Sequence, residues 1–291
     1  MSEQAATPLS PGMVSIVIPV HNGLPYIEES VESALNQDYP NIEVLVMENV
    51  SDDGTKEYLE SINDPRVRIV EQPQLVPVDQ NFTSAVGAAS GEFVRILCAD
   101  DFLKPGAVSA HVAAFSENPN AVLVSSTRDI CDERGKTIIK GRGLDGLNVV
   151  SDRSDVVSAC LEYGTNVIGE PFCRTSALQA ELPFSSELKY VLDVELYVRA
   201  LRWGTLATIS GAYSGYRIVL TSYSSEVAAR QGDDFAQWVV RLAADDSLDI
   251  TDEAIEHARK QARKNQFARK LLYRYLGIRE SLRSGSVRRR S

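Results

Sequence analysis

The chain has 291 residues, of which 44% are apolar, and a net charge of −10 at pH 7, as expected of a globular protein with one large domain and an appended element. No apolar run approaches about 18 residues and residues 1–12 are polar, so the sequence predicts neither a transmembrane helix nor a secretory signal. The four cysteines form no CxxC pair, which argues against zinc or a disulfide framework and predicts a reducing, cytoplasmic location.

Strands and helices alternate over the first hundred residues. Continuous apolar runs predict four strands, at 14–20, 42–47, 67–70 and 93–97. Helical spacing of apolar residues predicts helices at about 24–37 and 79–89, with a short one after residue 55. This alternation predicts an α/β fold with a mostly parallel sheet. The chain has no GxGxxG after its first strand and no GxxxxGK[ST], which argues against NAD-binding and P-loop proteins.

Two adjacent acids, Asp100 and Asp101, follow the predicted strand 93–97, and a helix is predicted from Pro105. In open α/β sheets, ligands bind outside the carboxyl ends of the strands. Adjacent carboxylates repel each other unless protons or a cation offset their charge, and Mg²⁺ or Mn²⁺ prefers such oxygen ligands. The alternative is a solvated turn in which one acid caps the next helix. These residues alone leave both interpretations open.

Polar side chains also follow the first two strands. His21 and Asn22 end the first strand, and Glu48, Asn49 and Ser51 end the second. Each loop has a plain structural explanation, such as an Asn-Gly turn or the start of a helix. Because the carboxyl ends of parallel strands share one edge of a sheet, we predict that these loops and the acid pair form a single crevice.

Four segments, in this order, resemble family 2 glycosyltransferases of the GT-A fold. They are Val-Ser-Ile-Val-Ile-Pro-Val-His-Asn at 14–22, Ser-Ala-Leu-Asn-Gln-Asp-Tyr-Pro-Asn-Ile-Glu-Val at 33–44, Ser-Asp-Asp-Gly-Thr at 51–55 and Cys-Ala-Asp-Asp at 98–101. The resemblance covers roughly residues 13–220. It implies a Rossmann-like GT-A domain at 13–225, with a nucleotide-sugar half at 13–104 and an acceptor half at 105–225. Residues 1–12 would then be a flexible N-terminus, and 226–291 a helical, basic C-terminal extension.

The resemblance implies a nucleoside-diphosphate-sugar donor, with UDP, GDP or dTDP as its nucleotide. His21 would stack on the base where the family more usually has Tyr, and Asn49 stands where an Asp often recognises the base. For Asn81 a contact with the donor is implied, although N-terminal helix capping by Asp79 or Asn81 is the simpler interpretation. The residues implied to contact the donor are Pro19, His21, Asn22, Glu48, Asn49, Ser51, Asn81, Asp100 and Arg217.

The same resemblance implies a metal, Mn²⁺ or Mg²⁺, held by Asp100 and Asp101. One carboxylate would coordinate the metal that bridges the diphosphate, and the other would contact the ribose or a metal-bound water. An acid occupies the position of Cys98 in the family's fuller motif, so the site here is reduced. The bound metal would neutralise the departing diphosphate as a Lewis acid.

An amphipathic helix is predicted from about Lys189 to Trp203, and it resembles the family segment that carries a Glu-Asp motif. Leu192 replaces the first acid, and Asp193 is implied to be the general base of an inverting displacement, a role worth about 10²–10⁴ in rate. The alternative is an acid placed in the first helical turn by the helix dipole. Arg217 matches the family's Tyr-Arg strand and would pair with phosphate, with the acids or in a structural salt bridge.

The charge of the chain is divided between its two ends. Residues 254–291 contain 12 Lys or Arg and 2 Glu, a local charge of +10, whereas residues 1–253 carry −20. A long helix is predicted from about 251 to 279, with apolar Ile255, Ala258, Ala262, Phe267, Leu271, Leu272 and Tyr275 near helical spacing. This basic helix would contact an anionic membrane at its inner face, the acidic body or a second subunit in a homodimer. The acidic body argues against nucleic-acid binding.

Taken together, the sequence predicts a metal-dependent inverting glycosyltransferase acting on a cell-envelope, glycolipid or polysaccharide acceptor. One alternative is a sugar-1-phosphate nucleotidyltransferase, which normally needs a Gly-rich loop with a basic residue where this chain has His21-Asn22-Gly23. The other is a non-catalytic subunit that binds nucleotide sugars. The missing acids at Cys98 and Leu192 favour that third interpretation.

Overall fold

The computed structural model describes residues 8–287, with side chains through 267 and at 271 and 274. The described residues form ten strands and ten α-helices. The strands are β1 (Ser10–Val20), β2 (Ile42–Glu48), β3 (Val67–Glu71), β4 (Gly91–Ile96), β5 (Phe102–Leu103), β6 (Ala121–Cys131), β7 (Thr137–Arg142), β8 (Val150–Ser151), β9 (Phe172–Arg174) and β10 (Thr205–Arg217). The helices are α1 (Tyr26–Leu35), α2 (Thr55–Glu60), α3 (Val78–Gly87), α4 (Ala107–Glu117), α5 (Arg153–Tyr163), α6 (Thr175–Ala180), α7 (Leu192–Ala200), α8 (Tyr223–Glu226), α9 (Gln231–Ala243) and α10 (Asp252–Val287).

One twisted sheet runs through the whole molecule, in the order β3-β2-β1-β4-β9-β6-β10-β5. Strands β3, β2, β1 and β4 are parallel neighbours, as are β6 and β10. Strand β9 inserts between β4 and β6 and runs antiparallel to both. The mostly parallel α/β sheet predicted from the sequence is therefore confirmed, and it crosses the expected boundary at residue 104.

Apolar clusters cover both faces of the sheet. On one face, Ile27 of α1, Leu59 of α2 and Phe115 of α4 pack against β1 and β2. On the other face, α3, α5, α6 and α7 contribute a second cluster, which Trp238 of α9 and Ala258 of α10 extend. The β-branched residues of β1 are fully buried between these layers, which explains their continuous apolar character.

The structure changes two predicted boundaries. Strand β1 begins at Ser10 rather than at 14, because Ser10 pairs with Gly91 before a bulge. The helix expected from Pro105 begins at Ala107, because the preceding residues form β5 against Ser214 and Gly215 of β10. Strands β6 and β7 pair as an antiparallel hairpin. Residues 1–7 of the expected flexible N-terminus, residues 288–291, and the side chains of Leu272 and Tyr275 lie outside the described part.

The C-terminal extension packs on the domain in its first half. Trp238 and Val239 of α9, and Ala258 and Ala262 of α10, belong to the same apolar cluster as α5 and α7. Further along α10, Phe267 is 65% exposed. Among the described helices, none combines the length and the apolar character that crossing a membrane would require.

Candidate active site

A cavity of about 610 Å³ opens at the carboxyl ends of β1, β2 and β4 and extends to the start of α7. It brings together most of the side chains that the sequence singled out. Those lining it are Pro19, His21, Asn22, Asn49, Asn81, Asp100, Asp101 and Asp193. Glu48, Ser51 and Arg217 are absent from its lining. The predicted crevice therefore exists, and three of the residues assigned to it lie behind its wall.

The acid pair lies in the turn that links β4 to β5. Asp101 is buried, and its Oδ1 accepts a hydrogen bond from the backbone N–H of Arg217 at 2.7 Å. Asp100 is half-buried and faces the cavity. Burial raises the pKa of Asp100 above its ordinary value, and burial together with the neighbouring Asp100 and Glu170 carboxylates raises the pKa of Asp101 well above its own. Negative charge at this turn is thus undercompensated by the protein alone.

The donor atoms at this turn fit a divalent cation. One oxygen of Asp100, one of Asp101 and the thiol of Cys98 lie within 4.8 Å of one another. A cation there would stabilise the ionised form of both carboxyl groups against the burial that raises their pKa values and against the charge of Asp100 on Asp101. The two carboxylates suit Mg²⁺ or Mn²⁺, and the sulfur of Cys98 is a softer third donor in place of the acid expected from the family motif.

Glu48 and Ser51 shape the loop after β2 and do not line the cavity, which revises their assignment as donor contacts. The buried carboxylate of Glu48 accepts the N–H groups of Val50, at 3.0 Å, and Ser51, at 2.6 Å. Val50 has φ 58°, an unusual conformation for a β-branched residue. The Ser51 hydroxyl in turn accepts the N–H of Asn22 at 2.9 Å. Glu48 therefore stabilises the strained loop after β2, which is in turn hydrogen-bonded to the loop after β1.

The amides of Asn49 and Asn81 are largely used inside the protein. Asn49 donates to the Val76 carbonyl and accepts the Val76 N–H, both at 2.9 Å. Asn81 donates to the Met47 carbonyl at 3.3 Å and accepts from Gln72 at 3.2 Å. Helix α3 has Pro77 as its N-cap residue and no side-chain cap, so the capping interpretation of Asn81 is wrong. Both asparagines fix the cavity wall through the loop that leads to α3.

Arg217 forms a buried salt bridge beside the acid pair and is not part of the cavity lining. Its buried guanidinium pairs with Glu29 and lies 4.9 Å from the ring centroid of Tyr26 and 5.3 Å from that of Phe102. The guanidinium therefore lies behind Tyr26, a residue of the cavity lining, and its charge acts on Asp100, while the backbone N–H of Arg217 holds Asp101. The structure thus favours the salt bridge among the alternatives considered for this residue.

Asp193 lies in the first turn of α7 and projects into the cavity. Its Oδ1 accepts the N–H of Val194 at 2.9 Å. Asp193 is exposed toward the cavity, where desolvation by the surrounding walls raises its pKa above the ordinary 3.8, and the nearby Glu170 adds to this effect. A carboxylate that holds its proton more tightly than usual is a stronger base once it is ionised, as a proton acceptor requires.

The cavity wall contains a charged cluster that the sequence did not predict. Glu170 accepts hydrogen bonds from Arg95 of β4 and from Arg128 of β6. Burial would raise the pKa of Glu170, but the two guanidiniums outweigh it and hold the pKa below its ordinary value. One signal was visible: Arg95 interrupts an apolar strand, and a charged side chain there needs a partner. Its partner Glu170 lies 75 positions away in the chain, so no local sequence pattern indicates the pairing.

Comparison with sequence families gives a match to the family described as "Glycosyl transferase family 2" over residues 15–156. An uncharacterized glycosyltransferase from Haemophilus influenzae is 26% identical over 212 residues, covering 71% of this chain and 65% of that protein. Chondroitin synthase from Pasteurella multocida is 34% identical over 131 residues, covering 44% of this chain. The chain spans only 14% of that synthase.

Solved structures share the fold. TarS 1–349 from S. aureus, in complex with UDP-GlcNAc, aligns with a TM-score of 0.64 at 18% identity, covering 88% of this chain and 73% of that one. The mannosyltransferase PcManGT from Pyrobaculum calidifontis, in complex with GDP-Man and Mn²⁺, aligns with a TM-score of 0.58 at 17% identity, covering 91% and 72%.

Proposed function

We propose that this chain, which belongs to glycosyl transferase family 2, transfers a sugar from a nucleoside-diphosphate-sugar donor to an acceptor hydroxyl with inversion at the anomeric carbon. The observation that carries the proposal is the shared cavity: the acid pair Asp100 and Asp101 and the candidate base Asp193 line the same 610 Å³ space. A metal-anchored leaving group and a proton acceptor are the two groups that a direct displacement requires.

In this proposal each group of the cavity has one task. The loops after β1 and β2 bind the nucleotide, with His21 held by a 2.9 Å hydrogen bond between its Nδ1 and the Asn49 carbonyl. Asp100 and Asp101 hold Mn²⁺ or Mg²⁺, which when bound would offset the charge of the diphosphate. Asp193 takes the proton of the acceptor hydroxyl as its oxygen attacks the anomeric carbon. The cavity walls exclude water from the reacting groups.

Calorimetry with UDP-, GDP- and dTDP-sugars, each with and without Mn²⁺, tests this proposal. One of the three nucleotides should bind with a Kd between about 1 µM and 1 mM, the range usual for enzyme substrates. That affinity should depend on Mn²⁺, because the acid pair alone repels a diphosphate. If none of the three binds with or without the metal, the proposed function is wrong.

The acceptor we propose is a saccharide or lipid-linked molecule of the cell envelope, reached at an anionic membrane surface through α10. The printed sequence from 254 to 291 has 12 basic and 2 acidic residues. On the same helix, Phe267 and Leu271 are 65% and 53% exposed, one helical turn apart. Exposed apolar side chains among basic ones are typical of helices that lie on anionic membranes.

We expect a Phe267→Ser, Leu271→Ser double variant to lose affinity for vesicles that contain anionic phospholipid. The variant keeps the net charge and removes only apolar area, so binding should fall about tenfold. Vesicle sedimentation measures the effect. Val240→Ser on α9, where Val240 is 54% exposed, is the matched control and should bind like the parent protein. Equal binding by all three proteins would remove the membrane proposal and leave a second subunit as the occupant to test.

A further inference from the structure

A buried cluster of charged side chains in the cavity wall has no task in the proposed mechanism. Glu170 pairs with Arg95 on one side and, at 2.6 Å, with Nη1 of Arg128 on the other. Arg128 also donates to Asn166 Oδ1 at 2.8 Å and to the Gly169 carbonyl at 3.1 Å. The Arg95 side chain is only 2% exposed. Since burying charges is costly even when they are paired, a cluster of this kind at a cavity suggests a use beyond stability.

The topology places this cluster at the carboxyl ends of the parallel strands. Because β9 runs antiparallel to β4 and β6, its beginning lies where those strands end. Gly169, at φ 69°, turns the chain into β9, and a Cβ at this position would collide with the Ser126 carbonyl oxygen. The turn brings Glu170 to the same edge as the acid pair.

The cluster also lines the same cavity as the acid pair and the candidate base. Burial is the main cause of the raised pKa values of Asp101 and Asp193, and the charges of Glu170 and Arg128 act on both carboxyl groups. Both charges are therefore close to each end of the proposed reaction path. In a direct displacement, the space between the diphosphate anchor and the base belongs to the sugar that is transferred.

We infer that Arg128 and Glu170 bind the hydroxyl groups of the transferred sugar and so select it. This inference rests on the proposed function. A sugar hydroxyl can accept a hydrogen bond from a guanidinium N–H and donate one to a carboxylate oxygen. The Glu170 carboxylate has lone pairs that its two ion pairs do not use. The favoured sugar is neutral, because a carboxylate on the ring would lie beside Glu170 and Asp193. Asn166 and Arg95 fix Arg128 and Glu170 in place and act as positioning residues.

The sugar's contribution can be measured as a ratio, the Kd of a nucleoside diphosphate divided by the Kd of its sugar conjugate. The probes are UDP, GDP and dTDP with UDP-glucose, UDP-N-acetylglucosamine, GDP-mannose and dTDP-glucose, all with Mn²⁺. For the best conjugate the ratio should be at least about 10 in the parent protein. Arg128→Lys keeps the charge but loses the guanidinium fork, and it should bring the ratio close to 1 while the diphosphate alone binds as before.

Two further variants keep this test decisive. Arg134→Lys makes the same change at an exposed residue outside the cavity lining and should leave the ratio unchanged. Asn166→Ala removes an exposed side chain that bonds to Arg128, and it should lower the ratio about threefold even if Arg128→Lys fails to fold.

The outcomes separate this inference from the proposed function. A ratio near 1 in the parent protein, an unchanged ratio in Asn166→Ala, or a loss in Arg128→Lys shared equally by diphosphate and conjugate would overturn the sugar assignment. UDP-glucuronic acid binding more tightly than UDP would overturn the preference for a neutral sugar. If no diphosphate binds at all, the proposed function itself fails.

Discussion

Replacing Asp193 with Asn should lower turnover by about 10²–10⁴ while leaving the Kd of the donor within about threefold. The amide has almost the same shape as the carboxylate but accepts no proton from the acceptor hydroxyl. Asp193 lines the cavity in the first turn of α7, on a different element from the turn that holds the acid pair. The amount of product formed over time measures the loss of turnover, and calorimetry measures the donor Kd separately.

The pH dependence of the same reaction gives a second readout. Asp193 acts as a base only when ionised, and burial raises its pKa above the ordinary 3.8. The rate should therefore rise with pH at values above those of an exposed aspartate, and Asp193→Asn should lose this rise.

A matched substitution controls for the helix dipole. Asp233 is an exposed acid in the first turn of α9, outside the cavity lining. Asp233→Asn should leave turnover unchanged. If Asp193→Asn retains full turnover, Asp193 is only a helix-terminal acid, and the interpretation as a non-catalytic binding subunit gains support.

Replacing Asp100 with Asn should abolish the dependence of donor binding on Mn²⁺. Both acids line the cavity, but Asp100 is the less buried of the two, and one oxygen of Asp101 is already held by the Arg217 N–H. Changes around metal ligands cost about 10–100-fold in affinity, and loss of a ligand should reach the upper end of that range. Calorimetric titration of Mn²⁺, first alone and then with the donor, measures the loss.

The acid pair allows a sharper comparison between its two members. Asp101→Asn removes charge while its amide oxygen can still accept the Arg217 N–H, so we expect a smaller loss of metal affinity than for Asp100→Asn. The Asp233→Asn variant again serves as the control for a change of one charge. Donor binding in Asp100→Asn that still depends on Mn²⁺ as strongly as in the parent protein would contradict the metal assignment.

The parts of the fold that the sequence predicts are those written in local patterns. Buried parallel strands such as β1 consist of uninterrupted apolar residues, so their existence and their polar ends are visible in the chain. The family segments then add Asp193, which no local pattern distinguishes from an ordinary acid at a helix terminus. Local patterns and the resemblance together explain why the cavity side chains at the ends of β1, β2 and β4 were identified.

The errors concern residues whose roles depend on distant partners. Arg217 follows a motif that suggests a phosphate contact, yet Glu29 and two aromatic rings hold its side chain elsewhere. Glu170 joins residues about 75 and 42 positions away in the chain, a pairing that no periodicity encodes. Asn81 has the amide and the position of a capping residue, but burial turns it toward the Met47 carbonyl.

The central position of β9 has a consequence for how the chain can be divided. The family match ends at residue 156, but the strand that joins β4 to β6 is supplied by residues 172–174. A fragment cut at the end of the match would leave two inner strands with open edges, and open edges pair with other chains. The segment of the family match is therefore not a portable module. Gene fusion or recombination that preserves folding must keep the chain intact beyond Arg174.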